Sequence, residues 1–274
     1  MTATLTAQRV ADYHRDGFIF PLFAMTDKQA AAYRKKLEDF EAEYGQRGSD
    51  ILRSKAHLVL TWVNELIRLN PVLDAVESII GPNIYCWGSS FFIKNAHDPR
   101  YIAWHQDAPF AGIPEGGEFV TAWIALGPST LANGCLKVVA GTHTERAEHR
   151  FTGDASNMLS QGQEIAVEVD EKDATAIQLR PGQFSLHHQF IFHGSGPSSS
   201  DERRIGLAVR YIAPFKRPDN EERTETATLV RGTDPYNTFL PEPVPTSDMD
   251  PENVAYLDEQ LIKRHGNRYR KVPV

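Results

Sequence analysis

QFSLHHQFIFHGSGPSSSDERRIGLAVRYI, residues 183–212, is the stretch on which the reading of this chain turns. Two runs rich in branched and aromatic residues, Gln183 to His193 and Arg204 to Ile212, are separated by Gly, Ser, Pro and charged residues, the pattern of strand, turn and strand. Upstream lie further runs of the same kind: IYCWGSSFFIK (84–94), YIAWH (101–105), EFVTAWIAL (118–126), CLKVVAG (135–141), QEIAVEV (163–169) and AIQL (176–179). At least seven short strands at close spacing predict an antiparallel sandwich or barrel.

Outside this block the pattern changes. Thr26, with Asp27, Lys28 and Gln29, reads as a capping box that opens a helix through about Tyr44. Asn70-Pro71 precedes an apolar-periodic stretch from Val72 to Ile80, which Gly81-Pro82 stops. The interval from His143 to Gln163 is polar and weakly patterned, which marks a long insertion, functional or mobile. Pro218 to Thr246 is rich in Pro, Asp, Glu and Thr, and Asp250-Pro251 caps a last helix through about Arg264. The expected organisation is one domain over 1–274, with a mainly helical flank (1–83), a β core (84–214) with an insertion near 143–163, and a C-terminal extension and helix (215–274). No internal repeat is visible.

Composition narrows the function classes. The 274 residues, 41% hydrophobic and 24% charged, are ordinary for a globular protein. A formal net charge of −7 argues against a non-specific nucleic-acid binder, which would carry the opposite sign. No apolar run is long enough to span a bilayer and the start lacks a secretory layout, so a cytoplasmic location without a membrane partner is expected. Cys86 and Cys135 lie in apolar runs without CxxC spacing and are expected to be buried free thiols.

The chemistry gathers in Trp104-His105-Gln106-Asp107. His105 and Asp107 are two apart, so on a strand both side chains leave the same face and can reach one ion. His193 stands where a strand meets the turn Gly194-Ser195-Gly196-Pro197, and a distant strand can bring it to the same point. Two imidazoles and one carboxylate on one face of an octahedron leave three positions open, a set that indicates an iron(II) oxygenase rather than a structural zinc site. Arg204, in the following strand, supplies a guanidinium able to clamp a dicarboxylate beside the iron.

With these residues in view, the chain resembles the phytanoyl-CoA dioxygenase family of iron(II)- and 2-oxoglutarate-dependent oxygenases, including its bacterial branch and the related chlorinating enzymes. The resemblance rests on LDAVESIIGPNIYCWGSSFFIK, WHQD, TAWIALGPSTLANGCLKVVAGTH and HGSGPSSSDERRIGLAVRY, from about Asn70 to Pro214. It implies a mainly β fold with flanking α-helices around a double-stranded β-helix (jelly-roll, cupin-like) core, which agrees with the strand pattern. It implies His105, Asp107 and His193 as ligands of Fe(II), and Arg204 on the distal carboxylate of 2-oxoglutarate. Ser195 would bond the same region, and Lys94 and Trp123 match cosubstrate-pocket positions. Asn133-Gly134 reads as a structural turn. The chlorinating relatives carry a small residue in place of the carboxylate; Asp107 is present here, which favours hydroxylation.

The implied activity is that of a 2-oxoglutarate-dependent non-haem iron dioxygenase. It would consume O2 and 2-oxoglutarate, release succinate and CO2, and hydroxylate an unactivated C–H bond of a small polar or anionic metabolite such as an amino acid, an aminophosphonate or a natural-product intermediate. Substrate contacts are expected among His57, Asn95, Gln106, His188 and Arg210, with Arg53, Lys55, His187 and Gln189 as further polar residues able to face a pocket. Arg210 shares parity with Arg204. In an ideal strand His187 and Gln189 share parity with His193, whereas a bulge near the turn would present His188 instead. Desaturation, cyclisation or halogenation with the same cofactors is the alternative outcome, and a non-enzymatic cupin-like binding protein the remote one. Oligomeric state is not legible.

Overall fold

The computed structural model describes residues 4–111, 117–159, 162–217 and 223–265. Helix α1 (Ala7–Asp16) leads into β1 (Phe18–Phe23), and the helices α2 (Asp27–Leu52), α3 (Thr61–Leu66) and α4 (Asn70–Ile80) precede the β core. The core strands are β2 (Ile84–Lys94), β3 (Ile102–His105), β4 (Phe119–Ala125) and β5 (Leu136–Val139), with the short α5 (Ala108–Ala111) after β3. There follow β6 (His149–Phe151), β7 (Gln163–Ile165), β8 (Ala174–Ile177), β9 (Gln183–His188), β10 (His193–Ser195) and β11 (Arg204–Ile212). Strands β12 (Thr226–Arg231) and β13 (Leu240–Pro241) and helix α6 (Pro251–His265) complete the order.

Two sheets face each other as a jelly roll. The larger has the order β1-β9-β4-β11-β2-β12-β13, antiparallel except for its last pair, and the smaller the order β3-β10-β5-β8. Strand β11 shows why both its faces are buried. Ile205, Leu207, Val209 and Tyr211 join Trp62, Val63, Leu66, Val72 and Val76 in the core between sheet and helices. Ala208, of the opposite parity, joins Trp123, Leu136, Val138 and Ile177 in the core between the two sheets. The inner face of β11 is therefore the one that carries Arg204 and Arg210 toward the smaller sheet.

Several expectations are met. Thr26 Oγ1 accepts from Gln29 N (3.3 Å) while Gln29 Oε1 accepts from Thr26 N (3.0 Å), the capping box of α2. Asp250 Oδ1 accepts from the Glu252 and Asn253 amides and so opens α6. Cys86 and Cys135 are buried and free. The helix that Thr26 opens breaks after Tyr44, at Gly45 (φ 52°, ψ −129°), a conformation open to glycine, and a second helical segment carries α2 on to Leu52.

Others are corrected. The flank before Ile84 contains β1, whose FIFPLF pairs with β9 at the sheet edge. Its register shifts between Ile19 and Leu22, next to Pro21, as suits a residue that cannot donate to a ladder. The run QFSLHHQFIFH is two strands, broken over Gln189 to Phe192. QEIAVEV is a strand only over Gln163–Ile165, in a hairpin with β6 that gives the insertion its own structure. The Pro-rich tail holds β12, which pairs with the first part of β2 only. Beyond it, the Lys55 amide donates to Ser89 O (2.8 Å) and covers the strand edge that β12 leaves.

Candidate metal and cosubstrate site

His105 and His193 are direct Cα partners across the antiparallel pair of β3 and β10. Cross-strand partners hold their side chains together on one face, and here the ring centroids are 4.0 Å apart. Each imidazole is oriented by its own backbone: His105 Nδ1 meets Ala103 O at 2.9 Å and His193 Nδ1 meets Ile191 O at 3.0 Å. An Nδ1–H donated to a carbonyl fixes the tautomer and leaves Nε2 with its lone pair free for a metal. Both Nε2 atoms face Asp107 Oδ1, at 3.8 and 3.9 Å. The three ligand atoms lie within 4.8 Å of one another, and all three residues are buried.

Asp107 is held from the opposite sheet. Thr121 Oγ1 donates to its Oδ2 (3.1 Å), and Arg210 Nη2 donates to its Oδ1 (3.2 Å). Burial works against the charge of this carboxyl, yet the Arg210 guanidinium beside it holds it well below the usual carboxylate range. Burial and the neighbouring His105 push His193 well below the usual imidazole range, so it stays neutral, as a metal ligand must. Two imidazole nitrogens and one carboxylate oxygen converging in a buried site form a donor set that fits a divalent iron.

Three pleats along β11 from Arg210 lies the second part, around Arg204. Arg204 is 1% exposed, and its Nη1 donates to Gly134 O. Its Nε and Nη2 are buried with no partner among the described residues. Burial lowers this guanidinium to about 10. An orphaned, desolvated guanidinium edge is costly, and a carboxylate is the group that would satisfy it bidentately. The Trp123 ring lies under it, 5.5 Å from Cζ. Lys94, the Cα partner of Arg204 on β2, donates to Ser195 Oγ (2.8 Å) and to Gly196 O. Burial and the adjacent Arg204 push this lysine down to about 7. The structure thus brings Arg204, Lys94, Ser195 and Trp123 together, and Asn133-Gly134 is a turn whose carbonyl serves the guanidinium.

Four residues expected at the substrate lie elsewhere. His57 is fully buried on the helix side of the large sheet, with Nδ1 2.8 Å from Ser89 Oγ and Nε2 3.4 Å from Glu242. Ser89 pairs with Val209, of opposite parity to Arg210, so His57 is behind the sheet. Asn95 is exposed and accepts from Arg203 Nε. Gln106 falls between His105 and Asp107 and points the other way, donating to Glu145 O and Phe190 O and accepting from the Ala147 amide. His188 packs against Tyr13, His143 and Phe190. Arg53 and Lys55 reach Met158 O and Glu242.

Arg210 does face the His105, Asp107 and His193 triad, and His187 does too. The His187 ring centroid is 4.9 Å from that of His193, and its Nδ1 is buried without a partner among the described residues. Burial lowers its imidazole to about 4. Sequence reasoning missed Thr121; its parity with Trp123, two residues on, was the available signal.

A family model described as phytanoyl-CoA dioxygenase matches residues 6–206. Among solved structures, the apo form of the non-heme monooxygenase ThoJ superposes with a TM-score of 0.79 and 32% identity, covering 93% of this chain and 95% of that one. CytC3 with Fe(II) and alpha-ketoglutarate gives 0.64 and 25%, covering 91% and 96%. Among curated sequences, L-proline trans-4-hydroxylase of Streptomyces griseoviridis is 25% identical over 235 residues, 77% of this chain and 88% of that protein. Among the described residues no helix is long and apolar enough to cross a membrane.

Proposed function

The chain belongs to the phytanoyl-CoA dioxygenase family, and from that premise we propose that it hydroxylates a C–H bond of a small polar or anionic metabolite. It is an enzyme of the iron(II)- and 2-oxoglutarate-dependent class, as its relatives indicate. In this reading His105, Asp107 and His193 hold the iron, and Arg204 receives the distal carboxylate of 2-oxoglutarate with Lys94 and Ser195 beside it. The observation that carries the reading is the convergence of the buried triad with a buried guanidinium whose Nε and Nη2 have no partner among the described residues.

When bound, iron and 2-oxoglutarate supply the oxidising power, with loss of CO2 and formation of succinate. The protein's residues do the rest. The Ala103 and Ile191 carbonyls aim the imidazoles; Thr121 and Arg210 fix the carboxylate. Trp123, Leu136, Val138 and Ile177 exclude water between the sheets. The presence of Asp107 supports hydroxylation over halogenation, because its carboxylate would serve as an iron ligand where the chlorinating relatives have a small residue. Anaerobic addition of iron(II) and 2-oxoglutarate should give a weak visible charge-transfer band that is lost in His193→Ala. Absence of the band in the wild type, together with no succinate formation across a panel of amino acids, would refute the reading.

A further inference from the structure

The inner face of the large sheet carries one row of Cα partners at the level of the triad: Phe18, His187, Thr121, Arg210 and Gly88. Thr121 and Arg210 hold Asp107, and His187 leans on His193. Gly88 contributes nothing to fill its place. It is buried, yet a Cβ built there would meet no heavy atom within 4 Å outside its chain neighbours. The contrast is Gly206, on the same face, where a Cβ would come within 1.9 Å of Trp123 because the indole occupies that space. The gap at Gly88 adjoins Ser90 and Phe92, which are partly exposed on the same face.

The gap lies beside a guanidinium with capacity to spare. Arg210 gives Nη2 to Asp107, its side chain is 17% exposed, and among the described residues its Nε and Nη1 have no partner. Since Nη2 carries a second N–H, one full edge of the fork remains for a planar anion. One step farther along the strands the wall is apolar: Tyr85, Trp87, Phe119, Ile212 and Phe239 form one cluster.

We infer that the gap over Gly88 is the primary-substrate subsite, and that it takes a carboxylate on the free edge of Arg210 with an apolar body against the aromatic cluster. This rests on the oxygenase reading above and narrows its substrate class to carboxylic acids with an apolar body. Gly88 is a specificity-determining residue: its missing side chain is the room into which the substrate fits. Nothing in the cosubstrate clamp changes when that room is filled, because Gly88 and Arg204 stand three partner positions apart on the inner face of adjacent strands.

The test uses anaerobic enzyme loaded with iron(II) and 2-oxoglutarate, titrated calorimetrically with 3-phenylpropionate and with the uncharged 3-phenylpropan-1-ol. The acid should bind at least tenfold more tightly than the alcohol. Gly88→Leu should weaken the acid at least tenfold while the charge-transfer band persists, and Gly88→Ala, which adds one atom to open space, should weaken it about threefold and serves if the leucine variant does not fold. Equal binding of acid and alcohol, no binding of the acid to wild type, or unchanged affinity in the glycine variants would each overturn the inference. A wild type without the band would strike the oxygenase reading instead.

Discussion

Thr121 is a single hydroxyl on a strand, yet it sets the rotation of the Asp107 carboxylate by donating to the oxygen that the imidazoles do not face. Thr121→Val keeps the shape and removes that bond, so iron(II) affinity should fall about tenfold in a metal-competition titration, the usual scale for a partner of a metal ligand. Gly206→Ala acts at the other end. Its Cβ collides with Trp123 and must displace the indole from Arg204, so the Kd for 2-oxoglutarate should rise at least tenfold while iron affinity stays within about twofold. The triad was legible in the sequence because spacing of two is a statement about a shared face. His57, Asn95, Gln106 and His188 were misplaced because residue type announces polarity and not direction. Gln106 shows this most simply, since the same spacing argument that aligned His105 with Asp107 sends it to the opposite side.

Lys55, on the turn after α2, meets Glu242, just past β13, behind β2. Glu242 accepts from Lys55 Nζ, from Thr226 Oγ1 (2.7 Å) and from Thr228 Oγ1 (2.7 Å), and its side chain is fully buried. Burial opposes its charge, but Lys55 and His57 hold it down to about 2. A carboxyl with a depressed folded value stabilises the fold above its unfolded value, and that contribution fades as pH falls from about 4.5 toward 2. Glu242→Gln should therefore cost roughly 3 kcal/mol at pH 7 by chemical denaturation, with a difference from wild type that shrinks below about pH 4.5. A cost independent of pH would contradict this assignment. The core strands were legible as elements because each is a short β-rich run bounded by turn residues. β1 was not, since Pro21 inside six residues argues against a strand unless it lies at an edge, which only the fold reveals. The break between β9 and β10 carries no Gly or Pro; it is made by Ile191 N bonding His188 O and Phe190 N bonding His188 Nδ1, contacts without a local composition signal.

At the scale of the molecule, the orphaned edge of Arg204 is a penalty that, on the proposed function, 2-oxoglutarate would remove on binding. Iron(II) with 2-oxoglutarate at about a hundred times its Kd should stabilise the protein by roughly 2.7 kcal/mol, or about 5–10 °C in Tm for a chain of this size. Arg204→Met should raise the Tm of the apoprotein and abolish the increment from 2-oxoglutarate while leaving that from iron, as differential scanning fluorimetry would read directly. A variant that loses stability in the apo state would show that the guanidinium supports the fold instead. The two-layer plan was visible in the sequence through strand spacing. The meeting of the 53–55 turn, the insertion and the C-terminal extension around β2 was not, because Arg53 finds Met158 and Lys55 finds Glu242 across more than a hundred residues of chain.

Strand β11 alternates Arg204, Gly206, Ala208 and Arg210 with Ile205, Leu207, Val209 and Tyr211. A slip of one residue would turn both guanidiniums into the apolar helix layer and the four large apolar side chains into the pocket. The two arginines therefore also proofread assembly: a β11 paired one residue out of step is penalised by two stranded cations, so the sheet settles only with both guanidiniums on its inner face.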